Sequence, residues 1–147
     1  MFHNVYPREK YLTRIRPFYE SDIIKVITGI RRCGKSFILK GIINELYQKG
    51  VKESQIIYIP LDKRGFKNIK LPEQLEEKIE EMIEGDGFHY LFIDEVQNVI
   101  GFESVVQAYV EEGYSVFLTG SISYLLSDEI STKLTGRYLK FETYTLD

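Results

Sequence analysis

The chain has 147 residues, 44% of them hydrophobic, 28% charged and 14% aromatic, which is one domain's worth of an ordinary folded protein and excludes a disordered or fibrous one. A net charge of −3 and a pI of about 5.5 supply no global field toward nucleic acid or anionic lipid, and no apolar run approaches the roughly 18 residues of a membrane span. The single cysteine, Cys33, excludes an internal disulfide and a cysteine-built zinc site, while His3 and His89 stand too far apart in sequence to support a histidine metal centre.

In chain order, "MFHNVYPREK" lacks the apolar core of a signal peptide, so a cytoplasmic location is expected. Residues 1–22, rich in Tyr, Arg and Pro, read as a lead-in packed on the edge of a sheet, ahead of a core over 23–147. "DIIKVIT" is a β-branched strand run. "SFILKGIINELYQKG" places Ile38, Ile42 and Leu46 at helical spacing and stops at Gly50. "SQIIYIPL" is a second strand. Pro72 opens "PEQLEEKIEEMIEG", a helix whose apolar stripe is Leu75, Ile79, Met82 and Ile83. "HYLFID" is a third strand, and "FESVVQAYVEEG" a helix through Phe102, Val105, Val106, Tyr109 and Val110. "YSVFLTG", "SYLLSDEISTKL" and "RYLKFETYTL" read as strand, helix and strand. Apolar strands alternating with amphipathic helices predict an α/β domain with a mainly parallel, buried sheet.

Between the first strand and the first of these helices lies "GIRRCGKS". Gly29, four residues, Gly34, Lys35 and Ser36 fit the phosphate-loop spacing G-x-x-x-x-G-K-[ST]. Glycines let the backbone curl so that its N–H groups point inward, at the positive end of the following helix. Lys35 then reaches the terminal phosphates of a nucleotide, and Ser36 offers an oxygen to Mg2+. The set expected around ATP is Gly29, Arg31, Arg32, Cys33, Gly34, Lys35, Ser36 and Phe37. Arg31 and Arg32 add charge beside the phosphates or face outward to a partner. Cys33, near those cations and a helix N-terminus, is either an activated thiol shielded by nucleotide or a small residue that fits the loop.

"YLFIDEVQ" ends an apolar strand on Asp94 and Glu95, at the edge of the sheet where ligands bind. Asp94 is the expected Mg2+ partner and Glu95 the base for an attacking water. A glutamate there suits a hydrolysing ATPase better than a small-molecule kinase, and no N-K-x-D guanine signature follows the fourth strand. In "VFLTGSISYLL", Thr119 and Ser121 are candidates to contact the γ-phosphate, against a plain strand end and helix cap. Arg137 in "LTGRYLKFE" is a transition-state arginine, in cis or on a neighbouring subunit, or a surface ion-pair residue.

"VITGIRRCGKS", "YLFIDEVQNV", "VFLTGSISYLLS" and "LTGRYLKFETYTL", in that order, resemble a prokaryotic AAA-type P-loop ATPase family, from about Tyr11 to the end of the chain. The resemblance implies a three-layer P-loop NTPase sandwich with a five-stranded sheet in the order 5-1-4-3-2, counting strands along the chain. It implies ATP with Mg2+, and Ser121 and Arg137 as sensor or finger residues beside Glu95 and Lys35. It also implies a C-terminal lid and a following domain of uncharacterised or nuclease-like fold, which these residues do not contain. Ile122 stands where the family carries a polar residue, commonly asparagine, which implies either weaker γ-phosphate sensing or sensing by Ser121 or Ser123. The reading is an Mg-dependent ATPase that moves a partner domain, self-association being one route to a complete site. Its alternatives are a nucleotide-binding module without significant turnover and, from "DEVQ", a fragment of a helicase-type motor, although no basic or aromatic strand-binding surface is visible.

Overall fold

Each apolar run read as a strand forms one: β1 (Ile24–Gly29), β2 (Ile56–Pro60), β3 (Tyr90–Asp94), β4 (Ser115–Ser121) and β5 (Tyr138–Glu142). The structure is a computed structural model that describes residues 2–29, 35–121, 134 and 137–142, with the backbone alone for 2–8. All neighbouring strands pair parallel, in the order β2-β3-β4-β1-β5. This is the expected order, read from the other edge. Parallel pairing follows from the crossovers: α2 (Lys35–Gln48) joins β1 to β2, α3 (Pro72–Met82) joins β2 to β3, and α4 (Phe102–Glu111) joins β3 to β4. The helix expected over "SYLLSDEISTKL" lies, but for its last residue Leu134, outside the described residues, as do Arg31, Arg32, Cys33 and Gly34 of the loop.

Strand alternation sorts the core into two layers. Val26, Leu91, Ile93, Val116 and Leu118 face α3 and α4, whose Leu75, Ile79, Phe102, Val105, Val106, Tyr109 and Val110 are buried against them. Ile27, Phe92 and Phe117 face the other way, onto Ile38, Leu39, Ile42 and Leu46 of α2. Side chains that alternate across the pleat, with both faces covered, explain why these strands read as continuous apolar runs rather than polar–apolar alternations. The helix stripes are those the spacing predicts, with Met82 and Ile83 only partly buried at their end. α3 stops at Met82, and Ile83 is already extended (φ −72°, ψ 126°). α2 and α4 do close on glycines, Gly50 and Gly113, each at φ +98°, a conformation without steric cost only for glycine.

The lead-in is more than an edge filler. It forms helix α1 (Phe2–Ile15) and a 3-10 turn over Arg16–Phe18. Leu12, Ile15 and Tyr19 are buried in the α2 layer. Contact with the edge strand is also made: the Phe18 and Phe141 rings lie 6.0 Å apart, and Arg14 donates to the Glu142 carbonyl at 3.4 Å. The packing buries three large side chains that the lead-in reading leaves at the periphery.

Candidate functional site

Parallel strands end together, so β1, β3 and β4 deliver their last residues to one edge. Gly29 closes β1 opposite Ser121 of β4, and Asp94 closes β3 opposite Pro60. α2 begins at Lys35 on the same side, with the positive end of its dipole toward that edge. Lys35 and Ser36 therefore meet Asp94 and Glu95, 58 residues further on in the case of Ser36 and Asp94.

The contacts are specific. Ser36 donates from Oγ to Asp94 Oδ2, and Thr119 donates from Oγ1 to Asp94 Oδ1. The same Thr119 oxygen accepts the Glu95 backbone N–H at 2.9 Å. Lys35 is 3% exposed, its Nζ 3.5 Å from Glu95 Oε2, and it makes no hydrogen bond among the described residues. Gln97 donates from Nε2 to Glu95 Oε1 at 2.8 Å. Burial raises the Asp94 carboxyl above the usual carboxylate range, against the hydrogen bonds from Ser36 and Thr119 that favour its ionised form. Beside these groups opens a cleft of about 240 Å3 lined by Lys35, Asp62, Glu95, Gln97, Asn98 and Ser121.

This arrangement can hold a polyphosphate and a hard cation. The buried Lys35 ammonium has the Glu95 carboxylate only at ion-pair distance, 3.5 Å, and no hydrogen bond among the described residues, so phosphate oxygens would complete it, and the head of α2 offers a positive terminus beside it. Ser36 Oγ and the Asp94 carboxylate are hard oxygen donors of the kind Mg2+ takes, one or two from protein and the rest from phosphate and water. Among the described residues no cluster of three or more His, Cys, Asp or Glu side chains is placed to hold a metal ion.

Of the residues the sequence singles out, the structure brings together Gly29, Lys35, Ser36, Asp94, Glu95 and Ser121. Phe37, next in α2, is 39% exposed. Thr119 is not a cleft residue; it is wholly buried beneath Asp94 and Glu95. Arg137 is not brought to this edge. Its carbonyl accepts from Ile24 N at 3.1 Å, at the start of β1, beside a separate hollow that it lines with Gln107 and Glu111. The six residues of β1 put the two ends roughly 16 Å apart at about 3.3 Å per residue, beyond the reach of an arginine side chain, so action in cis is set aside. Sequence reasoning gives no place to Asp62 and Asn98, which line the cleft. The signal for Asp62 was present, in an apolar strand ("IIYIPLD") that runs into an acid at the ligand-binding edge.

The fold and this edge define a class: an α/β domain of the P-loop nucleotide-binding type. Residues 21–147 match the AAA domain family, and the chain belongs to it. An uncharacterized protein of Haemophilus influenzae is 36% identical over 141 residues, covering 95% of this chain and 35% of that protein. An uncharacterized protein of Methanocaldococcus jannaschii is 39% identical over 124 residues, covering 84% of this chain and 27% of its own length. The chain thus spans about a third or less of these relatives. In fold it is similar to the ORC2 protein of Aeropyrum pernix, solved as ADPNP–ADP complexes, with a TM-score of 0.59 at 14% identity over 96% of this chain and 46% of that one. No helix among the described residues is long and apolar enough to cross a membrane.

Proposed function

We propose that this domain binds Mg–ATP at the carboxyl edge of its sheet and hydrolyses it, and that the cycle moves a partner domain or a second copy. The observation that carries the reading is the meeting of Lys35 and Ser36, at the head of α2, with Asp94 and Glu95, at the end of β3, beside a cleft. Lys35 neutralises charge on the terminal phosphates, with the loop Gly29–Gly34, including Arg31, Arg32 and Cys33, around them and Phe37 behind. Ser36 and Asp94 hold Mg2+, which when bound supplies charge neutralisation at the phosphate oxygens. Glu95, on the cleft side of Asp94, orients a water and takes its proton. Ser121, which lines the cleft, contacts the γ-phosphate. Arg137, at the far end of β1, serves a neighbouring copy rather than its own site.

A second reading, binding without turnover, draws support from the engagement of both Glu95 oxygens by Lys35 and Gln97. One series of measurements separates the two. Calorimetric titration of Mg–ATP and Mg–GTP into the chain is expected to give adenine-selective binding that Lys35→Ala abolishes, and a phosphate-release assay is expected to give turnover that Glu95→Gln abolishes. Binding that survives Lys35→Ala overturns the site. Binding lost in that variant with no phosphate released by the unaltered chain leaves the second reading standing.

A further inference from the structure

We propose that Gln97 is a positioning residue that holds the Glu95 carboxylate in its working orientation. The proposal rests on the ATPase reading above.

The observation starts in the backbone. Among the described residues Glu95 is the one non-glycine at positive φ (φ 59°, ψ 52°). An L-residue enters this left-handed region at a cost of about 1–2 kcal/mol, so something holds it there. Two contacts do: its N–H donates to Thr119 Oγ1 at 2.9 Å, and its carbonyl accepts from Asn98 N at 3.1 Å. The consequence is a tight 3-10 turn over Val96–Asn98 directly after β3. In a continuing strand, residues 95 and 97 would stand side by side roughly 7 Å apart at two rises of ~3.3 Å. In this turn the Gln97 amide folds back onto the Glu95 carboxylate, with Nε2 2.8 Å from Oε1.

That contact divides the carboxylate. Oε1 is taken by a neutral donor, and Oε2 faces Lys35 Nζ at 3.5 Å. A phosphate that attracts Lys35 would free Oε2 while Oε1 stayed held, leaving one aimed oxygen rather than a freely rotating pair. Only the NH2 of an amide can donate to a carboxylate, which fixes which way the Gln97 amide points. Its own Oε1 is then turned away. That oxygen is buried and finds no hydrogen-bond partner among the described residues, although Gln97 lines the cleft. A glutamine serving only to stitch the turn would be expected to satisfy both ends of its amide, since an unpaired buried acceptor is costly.

The test measures kcat and KM for Mg–ATP, Mg–ADP affinity and thermal midpoint for the unaltered chain and Gln97→Leu, together with the side-chain amide NMR signal of Gln97. Gln97→Leu is expected to lower kcat on the order of 10–100-fold, with KM and Mg–ADP affinity within about twofold. The Gln97 amide signal should move in Glu95→Ala and stay in place in Lys35→Ala. A Gln97→Leu chain that turns over normally, or loses rate only in step with its midpoint or KM, overturns the proposal. So does a Gln97 signal indifferent to Glu95→Ala, and this arm is read even if the unaltered chain releases no phosphate, an outcome that would fault the ATPase reading instead.

Discussion

Thr119 shows how one hydroxyl can organise a site without entering it. Its oxygen donates to Asp94 and accepts from the Glu95 backbone, so it fixes both acids from beneath while wholly buried. Thr119→Val keeps the shape and removes the oxygen, leaving a buried carboxylate and an N–H each one partner short. Urea unfolding is expected to show a loss of about 2–3 kcal/mol with an unchanged m-value, and Thr119→Ser about 1 kcal/mol. A Val variant as stable as the parent would mean that Asp94 does not depend on this bond. From sequence, Thr119 and Ser121 are equivalent strand-end hydroxyls. Two residues apart, they share one face of β4; what separates Asp94's partner from the cleft residue is position along the strand, Thr119 being buried within it and Ser121 half-buried at its end, and that needs the register of β4 against its neighbours. From sequence, Gln97 enters only through "DEVQ", as a residue of a helicase-type motor; its contact with Glu95 is not legible there, because it depends on a left-handed residue that no local propensity favours.

At the scale of elements, the strands and α2 to α4 were legible because burial on both faces of a parallel sheet leaves long β-branched runs, and because helix stripes follow a simple period. α1 was not. Pro7 lies within it and Pro17 within the turn that follows, and both read as helix breakers. Its attachment is chemical as well as apolar. Arg16 clasps the Glu45 carboxylate of α2 through Nε at 2.9 Å and Nη2 at 2.5 Å, and Tyr19 OH donates to the same group at 2.8 Å. α2 carries Lys35 and Ser36 at its other end, so this clasp ties the lead-in to the helix that presents the phosphate-binding groups. The Arg16 side chain is 36% exposed, so the ion pair itself contributes little. The buried Tyr19 hydroxyl matters more. Glu45→Ala is expected to destabilise by about 2 kcal/mol, and Tyr19→Phe in that background to recover part of the loss by removing the orphaned donor. Chemical denaturation of the two variants measures both; no recovery would place the cost elsewhere.

Across the whole molecule the two ends of the sheet have opposite characters. The carboxyl edge gathers acids around one buried lysine, whereas the amino end buries a lysine of its own. Lys25, in the interior strand β1, is fully buried. Its Nζ donates to the Ser21 carbonyl and Ser115 Oγ, both at 2.8 Å, and lies 4.6 Å from the Phe117 ring centre. Burial lowers its pKa to about 7, against the pull of Asp22 and Glu20. An unfolded lysine titrates near 10.4. Between those values the unfolded chain binds a proton that the native chain does not, so stability rises with pH across that window and the full cost of the buried charge is felt below it. The slope for one proton is at most about 1.4 kcal/mol per pH unit. Tyr19, Tyr90 and Tyr109, whose hydroxyls burial holds above their ordinary value of 10.0, act in the opposite sense once unfolded tyrosine begins to ionise, so the rise should flatten near pH 10. Lys25→Met fills the same space without a charge. Its unfolding free energy is expected to lack the rise from pH 7 to 10 and to match or exceed that of the parent at pH 6. A parent curve already flat over this range would mean that Lys25 stays protonated in the fold, with Ser21, Ser115 and Phe117 sufficient to hold its charge.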